Sequence, residues 1–557
     1  MHKKPRVGLI VDEGSLPRHI YDLFLLSKGS EHYEVGCLII QSSSVLNNYS
    51  ITKNPKNFIR TFGIERFIST ITLNLISKLE EIIVKRRLKL RDFYKKFTLE
   101  DIDVPKIYIE PNISKSGFIY RFSEEDLDSI KKQDLDILVR FGSGILRGEI
   151  LTVCKEGVIS FHHANNDVNR GGPPAFWEVL NRESTTGFVI QILKDELDGG
   201  DVICKGKIST SFLYSLNRAR LYKKSTPFMH KTLEMIFSKE SRIHIYPKKP
   251  YDQKLYKIPS IFKQMQYLYR TGKYLSLKII RKLLGRKFRW SIAYQFNNQW
   301  RDITLNKSKI IKNPKNRFLA DPFLLKKNNK NYCFLEDFDY SLGKGVISVF
   351  EINKDGYQDL GVVLEEDFHL SYPYIFEDEG KIFMCPETHQ SKDIRVYECI
   401  DFPLKWKLKE ILISDVSAVD TNIFRKNGKW WLLTNIDSSN IGDHDSELHI
   451  YFSESLFSGN WIPHPLNPII FDSERARNGG ILFENNEVFR VFQKQGWDMY
   501  GKSLGVAHIT SINEESYSEE ILFEISPHFF PEAKGTHTYG ANSDLTVIDF
   551  VSVERPK

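Results

Sequence analysis

Two stretches of this chain hold side chains able to do chemistry. In the first, between Asp134 and Ile203, an apolar run ends in His162 and His163, Arg170-Gly-Gly-Pro-Pro174 and Phe176-Trp177 follow, and an Asp-Gly-Gly turn carries Asp198. A histidine and a carboxylate that meet can pass a proton between reacting groups. Taken singly, a histidine pair after a strand is a satisfied loop and Asp-Gly-Gly is a turn, so the reading rests on their joint occurrence. In the second stretch, Asp321, Glu387 and Asp420 each stand beside a recurring apolar hairpin. Carboxylates gathered round one sugar can serve as acid and as base or nucleophile, whereas the bland alternative is that they cap turns and bind sugar hydroxyls. The six cysteines are far apart, with no Cys-x-x-Cys and no Cys/His ligand spacing, so no metal site or disulfide framework is expected.

The elements that must position the first stretch alternate between strand and helix patterns. Val7 to Val11 reads as a buried strand, His19 to Leu26 as helix, Tyr33 to Ile40 as strand and Leu135 to Val139 as another buried strand. Continuous apolar runs of this kind suit an open parallel sheet covered by helices. A long amphipathic stretch interrupts the alternation from about 64 to 97 and ends in Lys85-Arg-Arg-Leu-Lys-Leu-Arg91 and Lys95-Lys96; it is expected to be a helical insertion. From Tyr251 to Trp290, eleven Lys and Arg residues stand against Asp252 alone, among apolar residues at helical spacing. That predicts a basic helical linker over 251–290, either a solvated face or a contact with an anionic membrane surface.

Beyond Trp290 a repeat appears. Asp321 to Leu335, Tyr372 to Pro386, Asp420 to Thr434 and, more weakly, Gly479 to Phe492 each read as an apolar strand, a turn of Asn, Asp or Gly, and a second apolar strand. Each is a hairpin whose turn tolerates positive φ. The starts are 51, 48 and 59 residues apart, the size of a four-stranded propeller blade. A fifth start near His537 runs out of chain, so strands from Trp290 to Asp302 are expected to complete its blade. Five blades over 291–557 is the natural count; a β-sandwich would not produce a recurring hairpin at this period.

Composition bounds the rest. At 557 residues, 41% hydrophobic and 27% charged, with mean hydropathy −0.34, the chain is globular and too long for one core. A net charge of +7 gives no general affinity for nucleic acid. The apolar stretch Val7 to Val11 is too short for a signal-peptide core and is followed by Asp12 and Glu13. No run approaches the ~18 to 20 apolar residues needed to span a bilayer. With free thiols, the expected location is the cytoplasm, with peripheral contact at the inner face of the membrane left open.

The order and spacing of Asp136 to Leu146, Gly157 to His163, Arg170-Gly-Gly-Pro-Pro174, Thr186-Gly187 and Leu197-Asp-Gly-Gly-Asp-Val-Ile203 resemble the folate-dependent formyltransferases that act on nucleotide-linked amino sugars and related amines. The resemblance implies a Rossmann-like α/β domain over 1–250 and 10-formyltetrahydrofolate as co-substrate. It puts His162 and Asp198 at the catalytic histidine and aspartate, with Ser160 where the family has asparagine. Formyl transfer passes through a tetrahedral oxyanion that needs hydrogen-bond donors. His162 and Ser160 would supply them, with Asn165 or Asn166 as a substitute amide. The pterin is expected against backbone of Phe141, Gly142, Ile145 and Leu146 and near Leu197, and the substrate near Arg170, Gly171 and Trp177.

The repeats, with His369-Leu-Ser-Tyr-Pro373, Ala418-Val-Asp-Thr421, Glu447-Leu-His449 and Gly535-Thr-His-Thr538, resemble the propellers of glycoside hydrolase clans and of glucosamine inositolphosphorylceramide transferases. That resemblance implies that Asp321, Glu387 and Asp420 converge at one mouth of a channel. The hydrolase clans order their acids Asp, Asp, Glu, whereas Glu387 here precedes Asp420, which favours glycan binding or transfer over hydrolysis. The expected whole is a multidomain enzyme. Its α/β domain passes a formyl group to the amine of a nucleotide- or lipid-linked amino sugar in surface-glycan assembly, and its five-bladed β-propeller binds or processes the glycan. The alternative is a glycan-binding, glycosyl-transferring or hydrolysing propeller whose formyltransferase-like domain is degenerate.

Overall fold

A computed structural model describes residues 3–196, 199–238, 244–457 and 459–555. The chain divides into two compact units, Met1–Lys273 with Ser439–Ile441, and Tyr274–Ser438 with Gly442–Lys557.

The N-terminal unit is built on a seven-stranded sheet. Its strands are β1 (Arg6–Asp12), β2 (Glu34–Gln41), β3 (Lys106–Ile109), β4 (Ile137–Arg140), β5 (Val158–His162), β6 (Thr185–Ile192) and β7 (Asp201–Ser209), in spatial order β7-β6-β5-β4-β1-β2-β3. The five strands from β5 to β3 are parallel, and β6 and β7 add an antiparallel edge. Val7, Leu9, Ile10 and Val11 are all buried, as a parallel strand covered on both faces requires. Helix α1 (Arg18–Lys28) follows β1. The insertion is helix α2 (Ile64–Lys85), a 3-10 turn over Leu88–Tyr94 and a two-residue strand, Lys96–Phe97, paired with Leu16–Pro17. A further helix, Pro55–Phe62, precedes it, so the helical segment starts earlier than 64. Helices α3 (Phe176–Asn181), α4 (Tyr214–Phe237) and α5 (Ile261–Leu283) complete the elements used below.

The expected linker is only partly helical. Leu255–Tyr256 pairs with Arg170–Gly171, α5 begins at Ile261, and Lys287–Phe296 is already a strand. Trp290 therefore belongs to a sheet: β-branched and aromatic residues from Phe288 to Phe296 favour a strand once Leu545–Glu554 lies alongside.

Among the described residues the C-terminal unit holds five antiparallel sheets. Four follow one another along the chain with first strands Arg317–Lys327, Ser371–Asp378, Ala418–Lys426 and Asn478–Glu484. The fifth joins Tyr539–Ala541 and Leu545–Glu554 to Lys287–Phe296 and Lys309–Ile311, so strands from before the repeats complete it. The repeated hairpins turn through two residues at positive φ: Asn328-Asn329, Glu379-Gly380, Asn427-Gly428 and Asn485-Asn486. Such turns match the right-handed twist of the strands they join.

The starts of the repeats coincide with a shared backbone irregularity. A bulge interrupts the first hairpin of each of the first four sheets, and Asp321, Tyr372 and Asp420 sit in it at φ 50°, 46° and 50°. In the fourth sheet Gly480 takes φ 135°. Left-handed backbone at a bulky residue such as Tyr372 is strained, and a bulge re-aims the side chain it carries. The bulges also carry contacts from sheet to sheet. Tyr372 N–H donates to Asp321 Oδ2 (3.3 Å), Tyr372 Oη to Asn422 Oδ1 (3.2 Å), Asn478 Nδ2 to Asp420 O (2.8 Å) and Thr538 Oγ1 to Asp321 Oδ1 (2.8 Å). Between the fourth and fifth sheets, a Cβ on Gly480 would stand 2.6 Å from Tyr539 O. Each first strand thus touches the next.

Candidate functional site

In the N-terminal unit, β5 ends at His162 beside β4 and antiparallel to β6. The two-residue period of a strand sends Ser160 and His162 to one face and Phe161 and His163 to the other. His162 Nε2 lies 2.9 Å from Asn169 O; a carbonyl only accepts, so Nε2 carries the proton and gives it to the chain's own backbone. Ser160 Oγ donates to Phe161 O at 3.1 Å. Both expected oxyanion donors are therefore directed at carbonyls of their own chain. Asn165 Oδ1 accepts from Asp167 N–H (3.1 Å), and Asn166 is buried with its O bound to Arg170 Nε (3.0 Å). Asp198 and Leu197 lie outside the described residues.

The segment expected to face the pterin is bonded into the fold through its backbone. Phe141 N–H and Gly142 N–H both donate to Ile10 O at 2.9 Å, and Ile145 N–H donates to Phe118 O at 2.7 Å. Three of the four main-chain donors are thus used inside the fold, because the turn after β4 is stitched to β1 and to a small neighbouring sheet. Leu146 is buried in the core with Ile10, Tyr120 and Leu127. The residues expected at the substrate also have partners inside the fold. Arg170 lies with its guanidinium 4.5 Å above the Tyr251 ring. Gly171 has φ 98°, and a Cβ there would stand 2.2 Å from Tyr256 O, so the strand pairing demands the glycine. Trp177 packs among Leu73, Ile76, Phe176, Tyr214 and Tyr267 and donates Nε1–H to Gly172 O at 3.3 Å; it fills a core.

Two features of this unit escaped the sequence reading. Glu178, on α3, is buried and accepts from Asn169 Nδ2 at 3.2 Å; burial pushes its carboxyl up to about 7. On the opposite face of β5, His163 stacks on Tyr222 with centroids 3.8 Å apart and on Phe161 at 4.8 Å, and His19 meets Tyr222 at 4.9 Å. Burial drives both imidazoles towards the neutral form, His19 to about 4.

The C-terminal unit gathers charge instead. Asp420 and Glu387 meet at one guanidinium, which sequence reasoning missed because its partners lie 57 and 90 positions away. Arg477 Nε lies 2.6 Å from Asp420 Oδ2 and its Nη2 3.8 Å from Glu387 Oε2. Its Nη1 bonds Asp445 Oδ1 at 2.9 Å, and the cation covers the Tyr500 ring at 4.8 Å. Gln493 Nε2 gives Asp420 a second donor at 3.0 Å. His389 Nδ1 meets Glu387 Oε1 at 2.7 Å, and His389 and His444 stand 5.8 Å apart. Asp420 and Glu387 are buried, while Arg477, Asp445, His389 and His444 are half-buried and Tyr500 is exposed, so the two acids lie deeper than the residues around them.

The two acids are pulled apart electrically. Burial pushes Asp420 up to about 8, helped by the charges of Glu387 and Asp321 and opposed by Arg477. Burial also opposes ionisation of Glu387, but the His389 hydrogen bond and Arg477 outweigh it and hold the group at about 2.

The expected third acid, Asp321, belongs to an adjoining group. Its carboxylate faces His537 Nδ1 at 3.7 Å, and Asp549 Oδ2 faces the same nitrogen at 2.5 Å, with the Trp290 ring stacked 3.7 Å from the imidazole. Asp321, His537 and Asp549 offer three atoms within 4.8 Å of one another, a spacing a cation would accept, although the sequence reading expected no metal. Asp549 Oδ1 already accepts from His537 N–H (2.9 Å) and Thr538 N–H (3.0 Å). Burial disfavours the charged ring, yet Asp549 and Asp321 prevail and raise its affinity for the proton. With two carboxylates on its ring and two backbone donors on Asp549, His537 is held in an internal hydrogen-bonded cluster.

Comparison with known proteins gives two likenesses. The family described as the N-terminal part of glucosamine inositolphosphorylceramide transferase 1 matches residues 275–545. The transferase of that name from Arabidopsis thaliana is 34% identical over 215 residues, 37% of this chain and 28% of the relative. This chain therefore spans little more than a quarter of that relative's length. Methionyl-tRNA formyltransferase of Clostridioides difficile is 33% identical over 107 residues, 19% of this chain and 35% of the relative. Among solved structures, a family 117 glycoside hydrolase from Zobellia galactanivorans covers 47% of this chain and 90% of its own at 12% identity and TM-score 0.32. A phosphoribosylglycinamide formyltransferase from Anaplasma phagocytophilum covers 45% and 97% at 11% identity and TM-score 0.28. The chain is related to two kinds of transferase.

Proposed function

We propose that this chain is a glycan-modifying transferase acting on an amino sugar, with its reacting centre at the Arg477 cluster of a five-bladed propeller. The observation that carries the reading is that Asp420 and Glu387 share Arg477 yet lie on opposite sides of neutrality, about 8 and about 2. Two acids with separated affinities for the proton are how a site assigns one group to give a proton and the other to stay charged. At pH 7 Asp420 holds the proton that a departing oxygen needs. Glu387 stays anionic and can stabilise positive charge developing on the sugar ring or hold its ammonium. The five sheets, the shared bulge and the contact of each first strand with the next support the propeller, because such a ring brings first-strand side chains to a common centre.

The test is transfer and binding with a panel of nucleotide-linked amino sugars. Asp420→Asn should lose at least about a hundredfold in turnover, the size expected when a general acid is removed. Unchanged turnover in that variant would refute the assignment.

A second reading has its own support. His162 stands at the end of a central parallel strand, and the likeness to methionyl-tRNA formyltransferase favours formyl transfer from 10-formyltetrahydrofolate to the sugar's amine in the N-terminal unit. For that reaction His162 Nε2–H must exchange Asn169 O for the oxyanion. Consumption of 10-formyltetrahydrofolate in the presence of an amino sugar, abolished by His162→Ala, would establish it; no consumption with any acceptor would leave the domain degenerate.

A further inference from the structure

Helix α2 is inverted relative to an ordinary surface helix. Its inward face carries Ser69, Ser77 and Glu80 beside Leu73, Ile76 and Val84. Polar partners account for Glu80 and Ser77: Glu80 Oε2 accepts from Ser215 N–H at 2.8 Å, Tyr267 Oη donates to Glu80 Oε1, and Ser77 Oγ meets Ser215 Oγ at 3.1 Å. Its outward face carries Ile64, Ile68, Ile71, Leu75, Leu79 and Ile82, between 47% and 59% exposed. Those six recur at intervals of four, three, four, four and three residues. They form one stripe roughly 27 Å long at ~1.5 Å per residue. A surface helix normally places such a stripe against its own core, and here the core already holds the other face.

The charge beside the stripe names what covers it. Where α2 ends, the chain from Lys85 to Lys96 carries seven cations against Asp92 alone, and Lys85, Arg86, Arg87, Lys89 and Arg91 are all exposed, with Leu88 between them 87% exposed. Glu81 lies off the stripe and Glu65 at its margin. A long apolar stripe ending in a cationic cluster combines the two weak signals that together hold a protein at a bilayer surface: side chains that enter the acyl boundary and cations that meet anionic headgroups. A subunit interface would require an acidic complement to that cluster on the partner copy. No described helix is long and apolar enough to cross a membrane, which leaves α2 lying in the plane of the interface.

We infer that α2 and the basic segment after it form a docking surface for an anionic lipid bilayer. The inference is independent of which unit carries the chemistry. The test is co-sedimentation of the full chain with vesicles of phosphatidylcholine, with and without phosphatidylglycerol. Binding should require phosphatidylglycerol and fall at least about tenfold as salt rises from ~0.05 to ~0.5 M, since screening shortens the reach of the cations. Ile71→Ser with Leu75→Ser and Leu79→Ser should lose at least about tenfold in binding while melting normally, because these side chains are exposed. Arg86→Glu with Lys89→Glu, which leaves the stripe intact, should lose as much binding to the anionic vesicles. The proposal is overturned if the wild type stays in solution with anionic vesicles at low salt, or if both variants bind as the wild type does. It is equally overturned if sedimentation velocity finds a dimer that the triple variant turns into a monomer.

Discussion

The end of β5 and the surroundings of Arg477 were reached from similar sequence signals, a few acids, histidines and amides near turns, and they differ in what their polar groups touch. Around the end of β5 the donors of His162 and Ser160 are committed to backbone carbonyls of the same chain, and Trp177, expected at the substrate, packs a core. Around Arg477 the polar groups meet other charged side chains from different sheets, and acids outnumber cations. A donor committed to a backbone carbonyl does no chemistry until that bond opens. A buried, unbalanced set of charges is costly to assemble, and such clusters mark reacting centres more often than hydrogen-bonded loops do.

That contrast is open to tests of graded size. Arg477→Met should be the most damaging single change, because Asp420, Glu387 and Asp445 lose their shared cation; chemical denaturation should report a loss of about 3 kcal/mol or more. Trp177→Ala in the N-terminal unit should cost about 3 kcal/mol as a core truncation. If it instead changes only the Michaelis constant for a sugar and leaves stability alone, Trp177 belongs to a site and the contrast weakens. Gly480→Ala should lose about 2 kcal/mol, since its Cβ would meet Tyr539 O at 2.6 Å from a backbone at φ 135°.

The remaining tests are pH dependences. Asp420 and Glu178 are raised in the folded chain to about 8 and about 7 from the ordinary 3.8 and 4.5. A raised carboxyl contributes stability that is fully present below its unfolded value and fades as pH climbs through the folded one. Asp420→Asn should therefore flatten the stability profile between pH 4 and 8, and Glu178→Gln between pH 4.5 and 7, both read from denaturation midpoints. A steeper profile in either variant would mean the native carboxyl is ionised at neutral pH.

The parts legible from sequence were those fixed by local periodicity. Val7 to Val11 and Leu135 to Val139 read as buried strands because their apolar runs leave no solvent face. The hairpin turns at Asn328, Gly380, Gly428 and Asn486 read correctly because positive φ selects those residues. The repeat starts at Asp321, Tyr372 and Asp420 are the bulged residues themselves, although alignment alone could not say that a bulge lay there. What stayed hidden depends on distant partners. Trp177 reads the same whether it lines a pocket or fills a core, and Arg477 becomes informative only when the strands bearing Glu387 and Asp420 arrive beside it. In α2 the apolar periodicity marked a helix but not which face the protein would cover. Phe141, Gly142 and Ile145 looked open because their backbone bonds to Ile10 and Phe118 leave no trace in residue type.

The most direct test of the central claim compares two variants in one assay, sugar transfer from a nucleotide-linked amino sugar by the full chain. Asp420→Asn should abolish transfer, and His162→Ala should leave it within about twofold of wild type. Transfer that survives in Asp420→Asn and disappears in His162→Ala would contradict the account and move the reacting centre to the end of β5.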